Sequence, residues 1–260
     1  MRLCHPASVI VALVTTLLTA GPVTATPEAT DRALDEAERL VVEGRRVAAI
    51  DAYRSLLSQG VDSAALRYNL GTLFLEEGEL GHAVLHLETA LLRDPRFEDA
   101  RYNLEVARKL LVDHIDVPNQ GVPSRSSTVS RWRTDELAWF SLLCLTLLAG
   151  AAAAWPWTSQ HRRAKRLCSA CVAVALVLTL SSTALLWGRL VDERTRRAVV
   201  LVREVEARVA PAPEAAPTFV AHAGLLGTIV AEEAGYVRLR LSNGLDAWLP
   251  QTAIGELGQR

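Results

Sequence analysis

Two stretches of 21 residues, Leu137 to Trp157 and Leu167 to Trp187, contain no charged side chain. At roughly 1.5 Å per residue, a helix of that length reaches about 31 Å, the thickness of a bilayer's hydrocarbon core. Trp139, Trp155, Trp157 and Trp187 lie near the ends of the two stretches. Indole rings favour that interface, where the ring is buried and the N–H stays wet. The expectation is a pair of transmembrane helices over 137–157 and 167–188. Gly150 and the alanines at 151–154 would let them approach closely. Transporters and proton relays place ionisable groups inside their spans, and these spans hold none, so transport by this chain alone is not expected.

A third apolar run, Val9 to Ala20, follows Arg2 and precedes Gly21-Pro22. It is too short to span a bilayer but suits a secretory signal, residues 1–25, with cleavage after Ala25. An uncleaved anchor gives the same topology. The connecting loop, 158–166, carries His161, Arg162, Arg163, Lys165 and Arg166, which places it in the cytoplasm. Arg189, Arg194, Arg196 and Arg197 blunt that asymmetry, and the export signal breaks the tie. Both soluble regions are therefore expected on the extracytoplasmic (periplasmic) side of the cytoplasmic (inner) membrane.

A formal net charge of −1 offers no basic surface to a nucleic acid. Cys4, Cys144, Cys168 and Cys171 all lie in or beside apolar runs, so no disulfide framework is expected. Cys168-x-x-Cys171 opens a span rather than the helix of a thioredoxin-like unit, and reads as small apolar membrane residues. His82 and His86 form an i, i+4 pair without the glutamate of H-E-x-x-H, and read as solvated helix surface rather than metal ligands. No phosphate loop, nucleophile elbow or exported cysteine is present. No catalytic residue, metal or cofactor is assigned, and the chain reads as a non-enzyme.

Between signal and first span, residues repeat with a period of 34: Gly44 and Gly78, Ala49 and Ala83, and Tyr68-Asn69-Leu70 with Tyr102-Asn103-Leu104. Leu70-Gly71, Phe74, Gly78, Ala83, Leu87, Ala90 and Pro95 resemble the tetratricopeptide repeat. Small residues at 71, 83 and 90 would let antiparallel helices approach, Gly78 would permit the turn, and Pro95 would end the second helix. Arg67 departs from the pattern, and the first repeat lacks the closing proline. The resemblance implies an all-α repeat domain over 26–112. In that family, leading-helix residues often face a peptide-binding groove. By that resemblance the groove residues are Tyr68, Asn69, Tyr102 and Asn103, the asparagines bonding a peptide backbone in both directions. The alternative is that Tyr-Asn-Leu is merely repeat consensus.

Residues 113–134 hold Pro118, Gly121, Pro123 and a Ser/Thr cluster, and read as a linker that lets the repeats stand off the membrane. Residues 198–258 switch to period two. Five strands are predicted: 199–202, 205–209, 226–232, 236–241 and 246–249, with turns at Pro211 to Pro217, Ala234-Gly235 and Asn243-Gly244. Gly235-Tyr236-Val237-Arg238-Leu239, Asn243-Gly244 and Ala247-Trp248-Leu249 resemble the bacterial SH3 domain, although that family has tryptophan at 236 and glycine at 247. Tyr236 and Trp248 are either a ligand face for a peptide or cell-wall stem, or simply core.

The fold class expected is a multi-domain membrane protein: tetratricopeptide helices, two transmembrane helices and a small all-β SH3-like barrel. That order of parts resembles the BatE-like tetratricopeptide proteins of the Bacteroides aerotolerance (Bat) operon. The resemblance implies a protein-interaction scaffold in an aerotolerance or envelope-stress complex, with von Willebrand factor A-type partners and a MoxR-type ATPase. A peptidoglycan-binding anchor and an accessory or sensor subunit of an envelope enzyme remain open beside it.

Overall fold

The computed structural model describes residues 27–113, 134–154 and 162–258. The signal segment, most of the linker, Trp155, Trp157 and the first part of the connecting loop lie outside them. The described chain divides into two compact units, the first ending at Asp62 and the second beginning at Ser63.

The first unit is a helix pair, α1 (Pro27–Val42) and α2 (Arg46–Ser58). Gly44, at φ +73°, ends α1: its N–H reaches Val41 O, and the Arg45 N–H reaches Leu40 O. This is the Schellman arrangement, open to glycine because it has no Cβ to clash. A second one at Gly60 ends α2, which explains how the first repeat closes without a proline.

In the second unit, α3 (Ala64–Glu76) and α4 (Leu80–Arg93) form the next pair, and α5 (Glu98–Leu110) follows. Ser63 caps α3, its Oγ accepting the Leu66 N–H. Gly78 repeats the turn of Gly44 one period later, with Glu79 N–H bonded to Phe74 O. A Cβ on Gly71 would stand 2.6 Å from Leu87 Cγ, so the glycine is what lets α3 and α4 close. Ala83, Leu87 and Ala90 are fully buried, as the repeat pattern predicts.

The hairpin α6 (Thr134–Ala154) and α7 (Arg162–Arg194) comes next. Among the described residues, Ser169–Gly188 is the segment long and apolar enough to cross a membrane, by length and composition. Helix α7 starts inside the predicted connecting loop and runs past the predicted span. The seam of the hairpin follows a heptad. Leu137, Ser141 and Cys144 are turned inward from α6, and Ala175, Thr179 and Ser182 from α7. Gly150 is not part of it: a Cβ there would meet nothing within 4 Å. Close approach is left to the small polar residues one to three turns nearer the soluble unit.

Seven antiparallel strands follow: β1 (Arg197–Val200), β2 (Glu204–Arg208), β3 (Pro217–His222), β4 (Leu226–Glu233), β5 (Tyr236–Arg240), β6 (Asp246–Pro250) and β7 (Ile254–Glu256). Their order across the sheet is β3-β2-β6-β5-β4-β1-β7. Five strands are those predicted; β3 and β7 are additional. The predicted turn at 211–217 is shorter, because Pro217 already opens β3. That position suits proline, since β3 is an edge strand. Both edges contribute to one core, Ala221 from β3 and Ile254 from β7 alongside Val237, Leu239 and Leu249, so the sheet curls over itself. Ala234-Gly235 forms the two-residue hairpin turn, with both residues at positive φ. Asn243-Gly244 does not: only Gly244 has positive φ, and Asn243 instead accepts the Leu245 N–H through Oδ1.

The sheet does not float beside the repeats. Val199 points away from the sheet's own core and joins Val84, Leu87, Leu91, Leu104 and Ala107 in a single apolar cluster. A Cβ on Gly81 would lie 2.6 Å from Val200 O and 2.7 Å from Leu201 Cα, so α4 rests directly on this backbone. Asp113, just past α5, accepts both the backbone N–H and the ring Nδ1–H of His222, each at 2.8 Å. Helices α4 and α5 and the sheet are therefore docked on each other. An apolar strand face and an apolar helix face held in one chain gain about 25 cal/mol per Å² of apolar area by meeting.

Candidate functional site

The leading-helix quartet is split by the fold. Helices α3 and α5 lie next to each other, and Asn103 Nδ2 donates to Thr72 Oγ1 at 2.9 Å across that gap. One donor of Asn103 is thus committed to holding the helices together. Tyr68 packs its ring on Phe97, with centroids 4.8 Å apart, and is half-buried. Asn69 is half-buried as well, and Tyr102 is 68% exposed. Tyr102 therefore presents the largest unfilled contact surface of the four.

His82 and His86 are not solvated surface residues. Both rings stack on Phe74, at centroid distances of 4.9 and 5.4 Å, and His86 is buried with Nδ1 3.2 Å from Arg67 Nη1. The i, i+4 spacing that suggests a metal pair instead lays two imidazoles against one phenyl ring. Arg67, the departure from the repeat pattern, is placed to reach one of them. Among the described residues, no group of three metal-ligating side chains comes together.

Glu88, an acid of the repeat, is not solvated. It is buried in α4, with Arg108 Nη2 of α5 2.5 Å from Oε1. A carboxylate taken out of water needs such a partner, and removing the partner costs more than the pair ever contributes. The signal available in sequence was the phase of α4: Glu88 lies between the buried positions Leu87 and Ala90, on the face that meets α5.

On the sheet, the registers place the aromatic pair outside the core. Val237, Leu239, Ala247 and Leu249 fill the core, so their alternates Tyr236, Arg238, Trp248 and Pro250 share the outer face. Trp248 stands opposite Arg238 on one side and Arg208 on the other. Tyr236 and Trp248 are diagonal neighbours, close enough for ring contact with a common ligand. Both are half-buried, and neither belongs to the core.

Carboxylates organise the cations around this face. Asp246 receives Arg240 through Nε and Nη2 and Arg238 through Nη2, all at 2.8 Å. The hydrogen bonds from Arg240 hold the Asp246 carboxyl below the usual range, and burial opposes them only in part. At the other end of the sheet, Arg196 grips both oxygens of Glu256 at 2.8 Å and Glu232 at 2.5 Å, which fixes the exit of α7 onto the strands. Arg96, in the α4–α5 loop, bonds Glu136 in the first turn of α6 at 2.7 Å.

A TPR repeat-containing protein of Pseudomonas aeruginosa is 33% identical over 64 residues, 25% of this chain and 61% of that protein. The chain thus spans less than two thirds of that relative's length. No family model matches the chain, and no solved structure matches it. A helical repeat region similar to part of a TPR repeat-containing protein is thus joined to an antiparallel sheet.

Proposed function

We propose that this chain is a non-enzymatic protein-interaction scaffold of the cell envelope, anchored in the cytoplasmic membrane by two spans with both soluble parts outside. The carrying observation is that the chain enters the hairpin beside the α4–α5 loop and leaves it into a strand packed on α4. Arg96–Glu136 ties down the entrance, and Arg196–Glu256 the exit. Two soluble parts that share an apolar core lie on one side of any bilayer, so the hairpin between them crosses an even number of times. Trp139 and Trp187, both strongly exposed, sit at this soluble end, where an interfacial belt would be. Arg162 to Arg166 occupy the opposite end.

The curled sheet carries its half-buried, outward-facing aromatic pair as an SH3-like ligand face would, and Tyr102 offers the remaining groove contact on the helices. The order of parts supports a Bat-type complex with von Willebrand factor A-type proteins and a MoxR-type ATPase. Cell-wall peptide on the Trp248 face is the second reading, supported by the outward position of both rings.

The test is topological. In a cysteine-free background, Glu105→Cys and Asn243→Cys both react with an impermeant maleimide in intact spheroplasts. Labelling of either site only after lysis overturns the reading. Mild-detergent purification from the native host then recovers von Willebrand factor A-type partners, whereas recovery with cell-wall fragments alone favours the anchor.

A further inference from the structure

Where the helices dock on the sheet they leave a half-open cleft of about 370 Å³, lined by Glu79, Val112, Leu201, Arg203 and His222 among others. Its size falls within the range of small-ligand sites, about 300–1,000 Å³. None of the groove residues or the Tyr236–Trp248 pair lines it.

Arg203 sets the chemistry. Arg96, Arg108, Arg196, Arg208, Arg238 and Arg240 each hold a carboxylate. The Arg203 guanidinium has no hydrogen-bond or ion-pair partner among the described residues, and neither does the Glu79 carboxylate in the same cleft. His222 is held by Asp113 through Nδ1, which makes that nitrogen the donor and leaves Nε2 for another partner. Leu201 and Val112 supply apolar surface between these groups.

The backbone of the walls and the His222 ring are tied down before anything binds. Gly81 clamps α4 to the backbone of residues 200–201, Asp113 ties His222 in place by two bonds, and the Ala223 N–H is bonded to Arg203 O at 3.2 Å. A prearranged site loses little entropy on binding. The start of α4 at Leu80 adds a positive dipole end to the Arg203 charge.

We propose that this cleft at the helix–sheet seam binds a short peptide by its free carboxylate. Arg203 makes the bidentate carboxylate contact, Glu79 and His222 bond peptide N–H groups, and Leu201 and Val112 cover the last side chains. The same chemistry is presented by a protein C-terminus and by a cell-wall stem peptide, which differ in the chirality of the terminal residues.

The experiment is calorimetric titration of the full-length chain in detergent micelles with diacetyl-L-Lys-D-Ala-D-Ala, its all-L counterpart and the C-terminal amide of each. At least one acid binds saturably, and its amide binds at least tenfold more weakly. Arg203→Gln weakens the acid by about tenfold or more, as loss of a charge-assisted pair requires, while Arg45→Gln leaves it unchanged. Ala223→Phe, which fills the cleft, abolishes binding with the circular dichroism intact. Preference for the D or the L peptide identifies the source. Absence of saturable binding by both acids in the millimolar range, or equal affinity of Arg203→Gln and the parent chain, overturns the proposal.

Discussion

In α3 to α5 leucines supply much of the buried face, and in α6 and α7 most leucines, Leu137 apart, point outward. Leu70, Leu87 and Leu104 are buried, whereas Leu143, Leu147, Val177 and Leu180 are exposed, together with Trp139 and Trp187. The interior of the hairpin goes instead to Ser141, Cys144 and Ser182, and Ser141 Oγ is buried without a hydrogen-bond partner among the described residues. The proposed bilayer placement of the hairpin gives the two arrangements different solvents. Water drives apolar side chains together, so the repeat helices meet through leucine and close on glycine. Lipid gives leucine no reason to leave it, so helices in a bilayer meet through small residues that let backbones approach. The same chain therefore carries an ordinary core and its inverse, joined through Arg96–Glu136 and Arg196–Glu256.

The largest test of this contrast is Val199→Asp, which puts a charge into the cluster shared by sheet and helices. It is expected to cost about 3 kcal/mol or more. With the other five tryptophans replaced by phenylalanine, Trp248 fluorescence and helical circular dichroism report coincident unfolding of the sheet and α3–α5; adding Val199→Asp separates the two transitions. If they stay coincident and unshifted, the shared core is not what joins the parts.

Leu87→Ala follows, at about 2–5 kcal/mol by denaturant unfolding in detergent, because it opens a cavity under Gly71 and beside Val199. Leu147→Ala, the same deletion on the outer face of the hairpin, leaves that transition within about 0.5 kcal/mol. Equal effects would erase the distinction between the two regions.

A smaller effect is expected from Ser182→Leu, which overpacks the hairpin seam by about 1–3 kcal/mol, while Gly150→Leu is neutral because nothing faces it. Ser141→Ala is neutral or stabilising, since it removes a hydroxyl buried without an acceptor. Thermal unfolding of the hairpin in micelles ranks the three.

The smallest effect is a pH dependence confined to the sheet. The Asp246 carboxyl is held low by Arg240 when folded, so its contribution is complete above the unfolded pKa of about 4 and is lost as pH falls through the lower folded value. Asp246→Asn removes that acid sensitivity from the Trp248 signal. A sheet midpoint equally sensitive in the variant would assign the acid limb to another carboxylate.

The repeat turns, the strong helices and five of seven strands were legible because each rests on a short-range pattern. Gly44 and Gly78 announce their turns, and the alternation in Tyr236 to Leu241 announces a half-buried strand. The site was less legible. His82 and His86 have metal-like spacing, and only packing shows Phe74 lying under both. Tyr236 and Trp248 read equally well as core or ligand face until the register with Val237 and Leu249 puts them outside. The cleft at Arg203 has no sequence signature, because its residues come from segments more than 100 positions apart.

By itself the sequence determined where the chain can be helix, where it must turn, and that Ser169–Gly188 is long and apolar enough to cross a membrane. These follow from local sterics and from hydrophobicity summed along the chain, which neighbours in sequence decide. Only the tertiary structure decided that β3 pairs at the edge of the sheet, that Glu88 and His86 are interior, and that Val199 belongs to the helices rather than to its own sheet. Those outcomes depend on which faces meet across long separations. Burial is a property of the pair of surfaces that exclude water together, and neither surface records its partner alone.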